Sequence, residues 1–331
     1  MDRRDVLRLG LTAAAVGFMP KSFAAETGAS DGLLGDPKEV YPLWRGTPPG
    51  GKGLHLKEKT VERSPDPAHI RNRIVSGIGN PTLTVFRPEK PNGAAMLIAP
   101  GGGYSCIVLD VESYETARFL AAAGVTAFVM RYRLPGEGWA GREDVPLQDA
   151  QRAMRLIRAG AKKFAIDPAR LGVMGFSAGG HVAASLATRF AAPVYQPRDK
   201  ADGLDARPDF AALLYPVITM GEGCHADSRD KLLGPNPAPE LIAARSCENL
   251  VGAKTPPTFI AFAADDPAVP PATNGLAMFE ALCRKNVPAE LHAFEKGSHG
   301  FGIHFAAGKP CGAWPDLFLA WARSHAFVAK A

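Results

Sequence analysis

The alternation of short apolar runs with helical stretches, from about residue 72 onward, is the feature that most constrains the fold of this chain. Strands buried on both faces read as near-continuous apolar runs, and parallel strands need a crossover between them. The alternation predicts an α/β fold with a mainly parallel central sheet, helices on both faces and no large separate lid domain. The predicted strands are Leu83–Phe86, Ala95–Ile98, Thr126–Met130, Leu171–Met174, Ala211–Tyr215, Thr258–Phe262 and Glu290–Phe294.

The length and composition of the chain fit one large globular domain. The sequence has 331 residues, of which 46% are hydrophobic and 21% are charged, and single α/β domains reach this size. Residues 25–70 are rich in Gly, Pro and charged side chains, which indicates an extended lead-in that wraps over the domain. We therefore predict a short N-terminal segment at 1–24, the lead-in at 25–70 and a single catalytic domain at 71–331.

Residues 1–24 have the features of an export signal peptide. The adjacent Arg3 and Arg4 precede an apolar run from Leu9 to Met19 and a small-residue cleavage site that ends at Ala24. The paired arginines favour the twin-arginine route, and Sec export stays an alternative because neighbouring residues depart from the commonest twin-arginine motif. The mature protein is predicted to be periplasmic or secreted.

Charge and hydropathy exclude two classes of partner. The formal net charge of +5 falls to about +3 without residues 1–24, and so small a positive charge does not indicate nucleic-acid binding. No other stretch approaches the roughly 18 apolar residues of a membrane span, so the mature chain is predicted to lack a stable membrane anchor. Five cysteines follow residue 24, without metal-ligand spacing, and the candidate disulfide pairs are Cys224 with Cys247 and Cys283 with Cys311.

The pentapeptide Gly175-Phe176-Ser177-Ala178-Gly179 matches the G-x-S-x-G nucleophile elbow. An apolar strand precedes it and a helix of small residues follows it, as the elbow requires. The turn is so tight that a Cβ atom at either flanking glycine would collide with the neighbouring strand or helix. The motif predicts an α/β-hydrolase fold with Ser177 as the nucleophile.

A serine hydroxyl needs a base within hydrogen-bond reach and an acid that orients the base. Asp266 directly follows a predicted strand, and His299 lies in a glycine-rich loop after the last one, which completes the chain order Ser, Asp, His. Asp265 is the rival acid, but the D-x-x-V-P spacing favours Asp266, with Asp265 capping the turn. The other candidate histidines are assigned structural or surface positions: His181, His292 and His304.

The glycine run that follows the strand Ala95–Ile98 is the candidate oxyanion loop. Acyl transfer needs backbone N–H groups aimed at the developing oxyanion, and glycines let them approach it. We assign these donors to Gly102, Gly103 and Ala178, the last being the residue after the nucleophile. Tyr104 is a candidate substrate-binding residue in the acyl pocket or a sugar platform, with core packing as the alternative. This mechanism needs no metal and no organic cofactor.

Several further motifs together resemble the α/β-hydrolase group that contains bacterial acetyl-xylan esterases and related carbohydrate acetylesterases. The resemblance runs from about residue 40 to the C-terminus and implies an exported deacetylase of acetylated plant polysaccharide or oligosaccharide. Pro100 stands where hormone-sensitive-lipase relatives have a histidine, which argues against lipid-ester specificity. The motifs that carry the resemblance are Pro100-Gly101-Gly102-Gly103-Tyr104, Tyr132-Arg133-Leu134-Pro135, Pro146-Leu147-Gln148-Asp149-Ala150, Gly175 to His181, Leu232-Leu233-Gly234 with Asn236-Pro237, and Ala264-Asp265-Asp266.

Two other functions stay open at this point. A serine peptidase of the prolyl-oligopeptidase kind shares the elbow and the triad order, although the chain has no room for the propeller domain such peptidases carry. A non-catalytic binding protein on a hydrolase scaffold is the other. We expect a small-molecule or oligosaccharide ester as substrate, and we expect the irregular tract Met220–Lys254 to form part of its rim.

Overall fold

The computed structural model describes residues 35–329. The predicted export signal and the first part of the lead-in, residues 25–34, lie outside the described residues. The strands are β1 (Val40–Pro42), β2 (Lys59–Glu62), β3 (Arg73–Ser76), β4 (Thr82–Phe86), β5 (Ala95–Ala99), β6 (Ile107–Val108), β7 (Thr126–Arg131), β8 (Leu171–Phe176), β9 (Ala211–Leu214), β10 (Thr258–Ala263) and β11 (Ala289–Phe294).

The main sheet has eight strands within the described residues, in the order β1-β4-β7-β5-β8-β9-β10-β11. From β7 to β11 the neighbours are parallel, whereas β4 is antiparallel to β7 and β1 is antiparallel to β4. All seven predicted strands lie in this sheet. The central strands β5, β8, β9 and β10 are buried along their whole length, which explains why they read as continuous apolar runs. The predicted fold class is confirmed.

Helices lie between the strands and add their apolar faces to the same core. They are α1 (Glu115–Ala122), α2 (Val145–Ala159), α3 (Ala161–Phe164), α4 (Ala178–Arg189), α5 (Ala226–Leu233), α6 (Pro239–Arg245), α7 (Gly275–Arg284) and α8 (Trp314–Ser324). A π-helical turn, Asp110–Tyr114, runs directly into α1. No helix in the described part of the chain is long and apolar enough to cross a membrane.

Two strands of the fold lie in the predicted lead-in, before residue 71. Strand β1 pairs with β4 in the main sheet, and β2 forms a small antiparallel sheet with β3 and β6. Strand β2 is exposed along its whole length, so it carries no apolar alternation that a sequence pattern could report. The lead-in is extended, but part of it is sheet.

A buried polar cluster fastens the lead-in to the domain. Asp149 in α2 pairs with Arg133 at 2.8 Å, with both side chains fully buried. Asp149 also accepts a hydrogen bond from the indole N–H of Trp44 at 2.7 Å, and Arg133 donates to the carbonyl of Pro49 at 2.5 Å. Two of the recognised motifs, around Arg133 and Asp149, therefore meet as a structural ion pair.

Neither candidate disulfide is formed in the structure. All five cysteines that follow residue 24 are unpaired, and they differ in exposure: Cys247 and Cys311 are buried, whereas Cys283 is exposed. Cys247 instead lies 3.5 Å from the hydroxyl of Ser185 in α4.

Candidate active site

Ser177 stands in a strained turn between β8 and α4. Its backbone has φ 53° and ψ −121°, a conformation that non-glycine residues rarely adopt. A Cβ atom at Gly175 would lie 2.1 Å from the carbonyl oxygen of Gly179, and one at Gly179 would lie 2.1 Å from the carbonyl oxygen of Ala99 in β5. The helix and the neighbouring strand thus leave no room for side chains at the flanking positions, as predicted for a nucleophile elbow.

The structure brings the three predicted triad residues together. The imidazole Nε2 of His299 lies 2.8 Å from Oγ of Ser177, and its Nδ1 lies 2.6 Å from Oδ2 of Asp266. The other carboxylate oxygen of Asp266 accepts hydrogen bonds from the N–H groups of Ala268 and Val269, both at 2.9 Å. These two bonds fix the carboxylate, and the carboxylate in turn fixes the ring of His299.

Asp265 lies beside the triad without joining it. Its Oδ1 accepts hydrogen bonds from the N–H groups of Gly297 and Ser298, at 2.9 and 2.8 Å, and these bonds lower the pKa of the carboxyl group. We predicted that Asp265 would cap its own turn; it holds the histidine loop instead.

Two of the other candidate histidines, His181 and His292, bond to residues outside the triad. His181 accepts a hydrogen bond from the hydroxyl of Tyr104 and donates one to the carbonyl of Arg245, both at 2.7 Å. Burial lowers the pKa of His181 to about 4, so this ring is neutral at neutral pH. His292 lies in β11 against Glu290.

The loop after β5 presents the predicted oxyanion donors. Gly102 has φ +123°, and a Cβ atom there would lie 2.2 Å from the carbonyl oxygen of Cys106. The hydroxyl of Tyr132 donates to the carbonyl of Pro100 at 2.8 Å and anchors the start of the loop. Among the described residues, no group accepts a hydrogen bond from the backbone N–H of Gly102, Gly103 or Ala178. These three donors are free to meet an oxyanion.

Tyr104 has the second of its two predicted positions, in the core. Its side chain is only 1% exposed, it donates to His181, and its ring packs edge-on against Tyr132. The residue has φ 59°, so the chain turns sharply after the glycines and sends the ring into the core rather than toward substrate. The predicted contact with substrate is therefore wrong, and core packing is the role that the structure gives.

A cavity of about 390 Å³ opens above the triad. Phe305, which lines this cavity, is 43% exposed, and the imidazole of His299 is 21% exposed. The cavity lining includes both polar and apolar residues. The lining residues are Arg63, Asn72, Gly102, Gly103, Val108, Val111, Glu112, Ser177, His225, His299, Gly300 and Phe305.

A family model described as BD-FAE matches residues 85–281, which is more than half of the chain. The chain belongs to the BD-FAE family. The α/β-hydrolase group that the motifs resemble is thereby confirmed.

Named relatives of this BD-FAE chain include an acetylxylan esterase from Xylanibacter ruminicola, 35% identical over 233 residues that cover 69% of this chain and 45% of that protein. An endo-1,4-beta-xylanase B from Butyrivibrio fibrisolvens is 39% identical over 208 residues, which cover 63% of this chain and 32% of that protein. The chain thus spans less than half the length of these two relatives.

A solved structure covers far more of the chain. An acetyl ester-xyloside bifunctional hydrolase from Caldicellulosiruptor lactoaceticus matches with a TM-score of 0.71 and 33% identity, over 90% of this chain and 100% of that chain. The family match and this structural match agree with the α/β-hydrolase fold described above.

Several residues that line the cavity of this BD-FAE member were not predicted from the sequence. His225 is half-buried before α5, and its Nδ1 accepts from the hydroxyl and the N–H of Ser228, at 2.9 and 3.3 Å. It lies within the tract 220–254 that we expected at the rim, so the irregularity of that tract was a usable signal. Arg63 comes from the lead-in and donates a hydrogen bond at 2.6 Å to Asn72, at the start of the predicted domain, and no motif marks either residue.

Proposed function

We propose that this protein is a serine carboxylesterase that removes acetyl groups from acetylated carbohydrate of the xylan type. The observation that carries the proposal is the hydrogen-bonded series Ser177, His299 and Asp266, which faces an open cavity beside three free backbone donors. The arrangement can form and hydrolyse an acyl-enzyme without a cofactor.

The distances support a two-step reaction. As Oγ of Ser177 attacks the acetyl carbonyl, its proton passes over 2.8 Å to Nε2 of His299, and Asp266 stabilises the resulting imidazolium at 2.6 Å. The carbonyl oxygen becomes an oxyanion against the N–H groups of the oxyanion loop and Ala178. His299 then protonates the leaving alcohol, and a water molecule activated by the same ring releases acetate.

The shape and lining of the cavity favour a sugar ester over a lipid ester. A lipid chain needs a deep apolar channel, whereas this cavity is open and has Arg63, Asn72 and His225 in its lining. Such groups can bond the hydroxyls of a sugar, and the exposed ring of Phe305 offers an apolar face to one. The acetylxylan esterase among the relatives has the same proposed substrate class in its name.

The test is a substrate panel on the wild-type protein and on Ser177→Ala. The panel contains acetyl, butyryl and longer nitrophenyl esters, acetylated xylo-oligosaccharides and a prolyl peptide. We expect acetate release from the acetyl esters and the oligosaccharides, with loss of activity for butyryl and longer chains. Ser185→Ala is the matched control, because Ser185 lies on α4 and contacts Cys247 rather than the cavity.

Two outcomes would contradict the proposal. Acetate release that survives Ser177→Ala would remove the nucleophile from the mechanism. Cleavage of the prolyl peptide, with acetyl esters left intact, would favour the peptidase instead.

We also propose that the protein is exported, because polymeric xylan is met outside the cell and residues 1–24 have the pattern of a signal peptide. Replacing Arg3 and Arg4 together by lysine should retain the precursor in the cytoplasm if the twin-arginine route is used. Unchanged export of that variant would favour the Sec route.

A further inference from the structure

Glu112 is a buried carboxyl group for which neither the triad nor the oxyanion donors account. It lies in the π-helical turn Asp110–Tyr114, is only 4% exposed and lines the active-site cavity. Turns of this kind are rare and frequently occur at functional sites. Because burying a carboxyl group is costly, its surroundings must compensate the cost.

Both oxygens of Glu112 accept hydrogen bonds that lead, directly or through one tyrosine, to catalytic loops. Oε2 accepts a hydrogen bond from the N–H of Gly101 at 2.8 Å, and Oε1 accepts one from the hydroxyl of Tyr215 at 3.1 Å. The oxygen of Tyr215 in turn accepts from the N–H of Gly302 at 3.2 Å. Gly101 begins the oxyanion loop and Gly302 follows His299, so one carboxyl group links the two loops that must be in register for the reaction.

The hydrogen-bond pattern is that of a charged carboxylate. The hydroxyl of Tyr215 has one hydrogen, and since its oxygen accepts from Gly302, that hydrogen is directed to Glu112. Neither oxygen of Glu112 therefore needs a proton of its own. Burial raises the pKa of Glu112, while the N–H of Gly101 and the charge of His299 act in the opposite direction.

We propose that Glu112 is a positioning residue for the esterase reaction and a second carboxylate for His299. Through Gly101 it holds the oxyanion loop, and through its charge it stabilises the imidazolium that forms when His299 takes the proton of Ser177. The proton moves from Oγ of Ser177 to Nε2 of His299 and then to the leaving oxygen, and Glu112 never carries it. This inference rests on the proposed serine-esterase function.

Other titratable groups face the same space. Arg63 lines the same cavity, and its charge favours the ionised form of Glu112. Burial and the charge of His299 lower the pKa of His225, and burial raises the pKa values of Tyr215 and Cys106. These three groups are therefore neutral at neutral pH. Asp266 and Glu112 are left as the anions that act on His299.

The experiment compares Glu112→Gln with a matched control in the same turn, Asp110→Asn. Asp110 is also buried, but it pairs with Arg73 at 2.8 Å, away from the cavity. The first readout is the pH profile of kcat/KM on 4-nitrophenyl acetate. The second is the NMR titration of the His299 ring in the free enzyme, with His299→Gln to identify its signal.

Removing the carboxylate charge makes the imidazolium less stable. We expect the acid limb of the profile and the titration midpoint of the ring to move to lower pH by about one unit in Glu112→Gln. We also expect kcat to fall by about tenfold or more with little change in KM, because the oxyanion loop is held less firmly. Asp110→Asn should lose thermal stability and leave the acid limb and the ring titration in place.

Several results would overturn the inference. One is that the acid limb of the kcat/KM profile and the titration of the His299 ring stay in place in Glu112→Gln. This result would count against the inference even if kcat falls, because a structural role alone would give it. Equal shifts in both variants would overturn it as well. If Glu112→Gln does not fold, the carboxyl ¹³C signal of Glu112 in the wild-type protein must respond when His299 titrates, and that response must vanish in His299→Gln. The ring titration needs no turnover, so a wild-type protein without esterase activity would refute the proposed function and still test Glu112.

Discussion

Asp266→Asn is the substitution for which the structure gives the most definite result. Oδ1 of Asp266 accepts two backbone N–H groups, from Ala268 and Val269, while Oδ2 faces Nδ1 of His299. In the variant, the asparagine oxygen must stay on the two backbone donors. Its NH₂ group then faces Nδ1, so the ring carries its hydrogen on Nε2 and cannot accept the proton of Ser177.

The size of the effect follows from the alternative orientation. Turning the amide so that its oxygen faces His299 would leave the N–H groups of Ala268 and Val269 unpaired, at a cost of about 1–3 kcal/mol each. The productive tautomer is thus disfavoured by about 2–6 kcal/mol, and since each 1.36 kcal/mol is tenfold, kcat should fall by about 30-fold to 10⁴-fold.

The assay is hydrolysis of 4-nitrophenyl acetate, with thermal unfolding measured in parallel. Asp265→Asn is the matched control, because an asparagine oxygen there can still accept from Gly297 and Ser298. We expect its kcat to stay within a few-fold of the wild type. A kcat for Asp266→Asn within tenfold of the wild type, or a larger loss in Asp265→Asn, would refute the assignment of the acid.

Three further outcomes follow from buried contacts. Gly102→Ala places a Cβ atom 2.2 Å from the carbonyl oxygen of Cys106, and displacing one oxyanion donor should cost about 10²-fold or more in kcat while far-UV circular dichroism is retained. Asp149→Asn leaves Arg133 buried without its counter-charge, and the free energy of unfolding in urea should fall by about 3–5 kcal/mol. Burial lowers the pKa of His181 from 6.5 to about 4. As the pH falls, the unfolded chain therefore binds a proton at His181 before the folded chain does. The resulting stability is complete above about pH 6.5, and about 3 kcal/mol is lost as the pH falls to 4; in His181→Gln this pH dependence should disappear, as unfolding curves at several pH values can show.

The parts of the fold that sequence could predict are those coded locally. The strands of the parallel core are buried along their whole length and mostly apolar, so each can be recognised from its own residues without knowledge of its partner strands. The elbow is equally local, because the collisions that require Gly175 and Gly179 arise within the turn and its flanking elements. The triad roles of Asp266 and His299 could be predicted from their order along the chain, because the ends of parallel strands meet at one edge of the sheet.

The parts that sequence missed depend on contacts between distant segments. Glu112 and Tyr215 are 103 positions apart, and no spacing rule joins them. The π-helical turn that directs Glu112 inward has no sequence signature of its own. Tyr104 shows the opposite error: its place after the oxyanion glycines indicated the cavity, but a backbone with φ 59° turns the ring into the core.

Three carboxylates keep the catalytic loops in place by accepting backbone N–H groups. Asp266 holds its own turn, Asp265 holds the histidine loop through Gly297 and Ser298, and Glu112 holds the oxyanion loop through Gly101. The ionised carboxylate accepts these bonds more strongly than the protonated acid does, and the environments of these groups differ. The N–H groups of Ser298 and Gly297 lower the pKa of Asp265, whereas burial raises the pKa of Glu112. As pH falls, Glu112 therefore takes up a proton before Asp265 does, and the hydrogen bond that anchors the oxyanion loop weakens while the histidine loop is still held by a carboxylate.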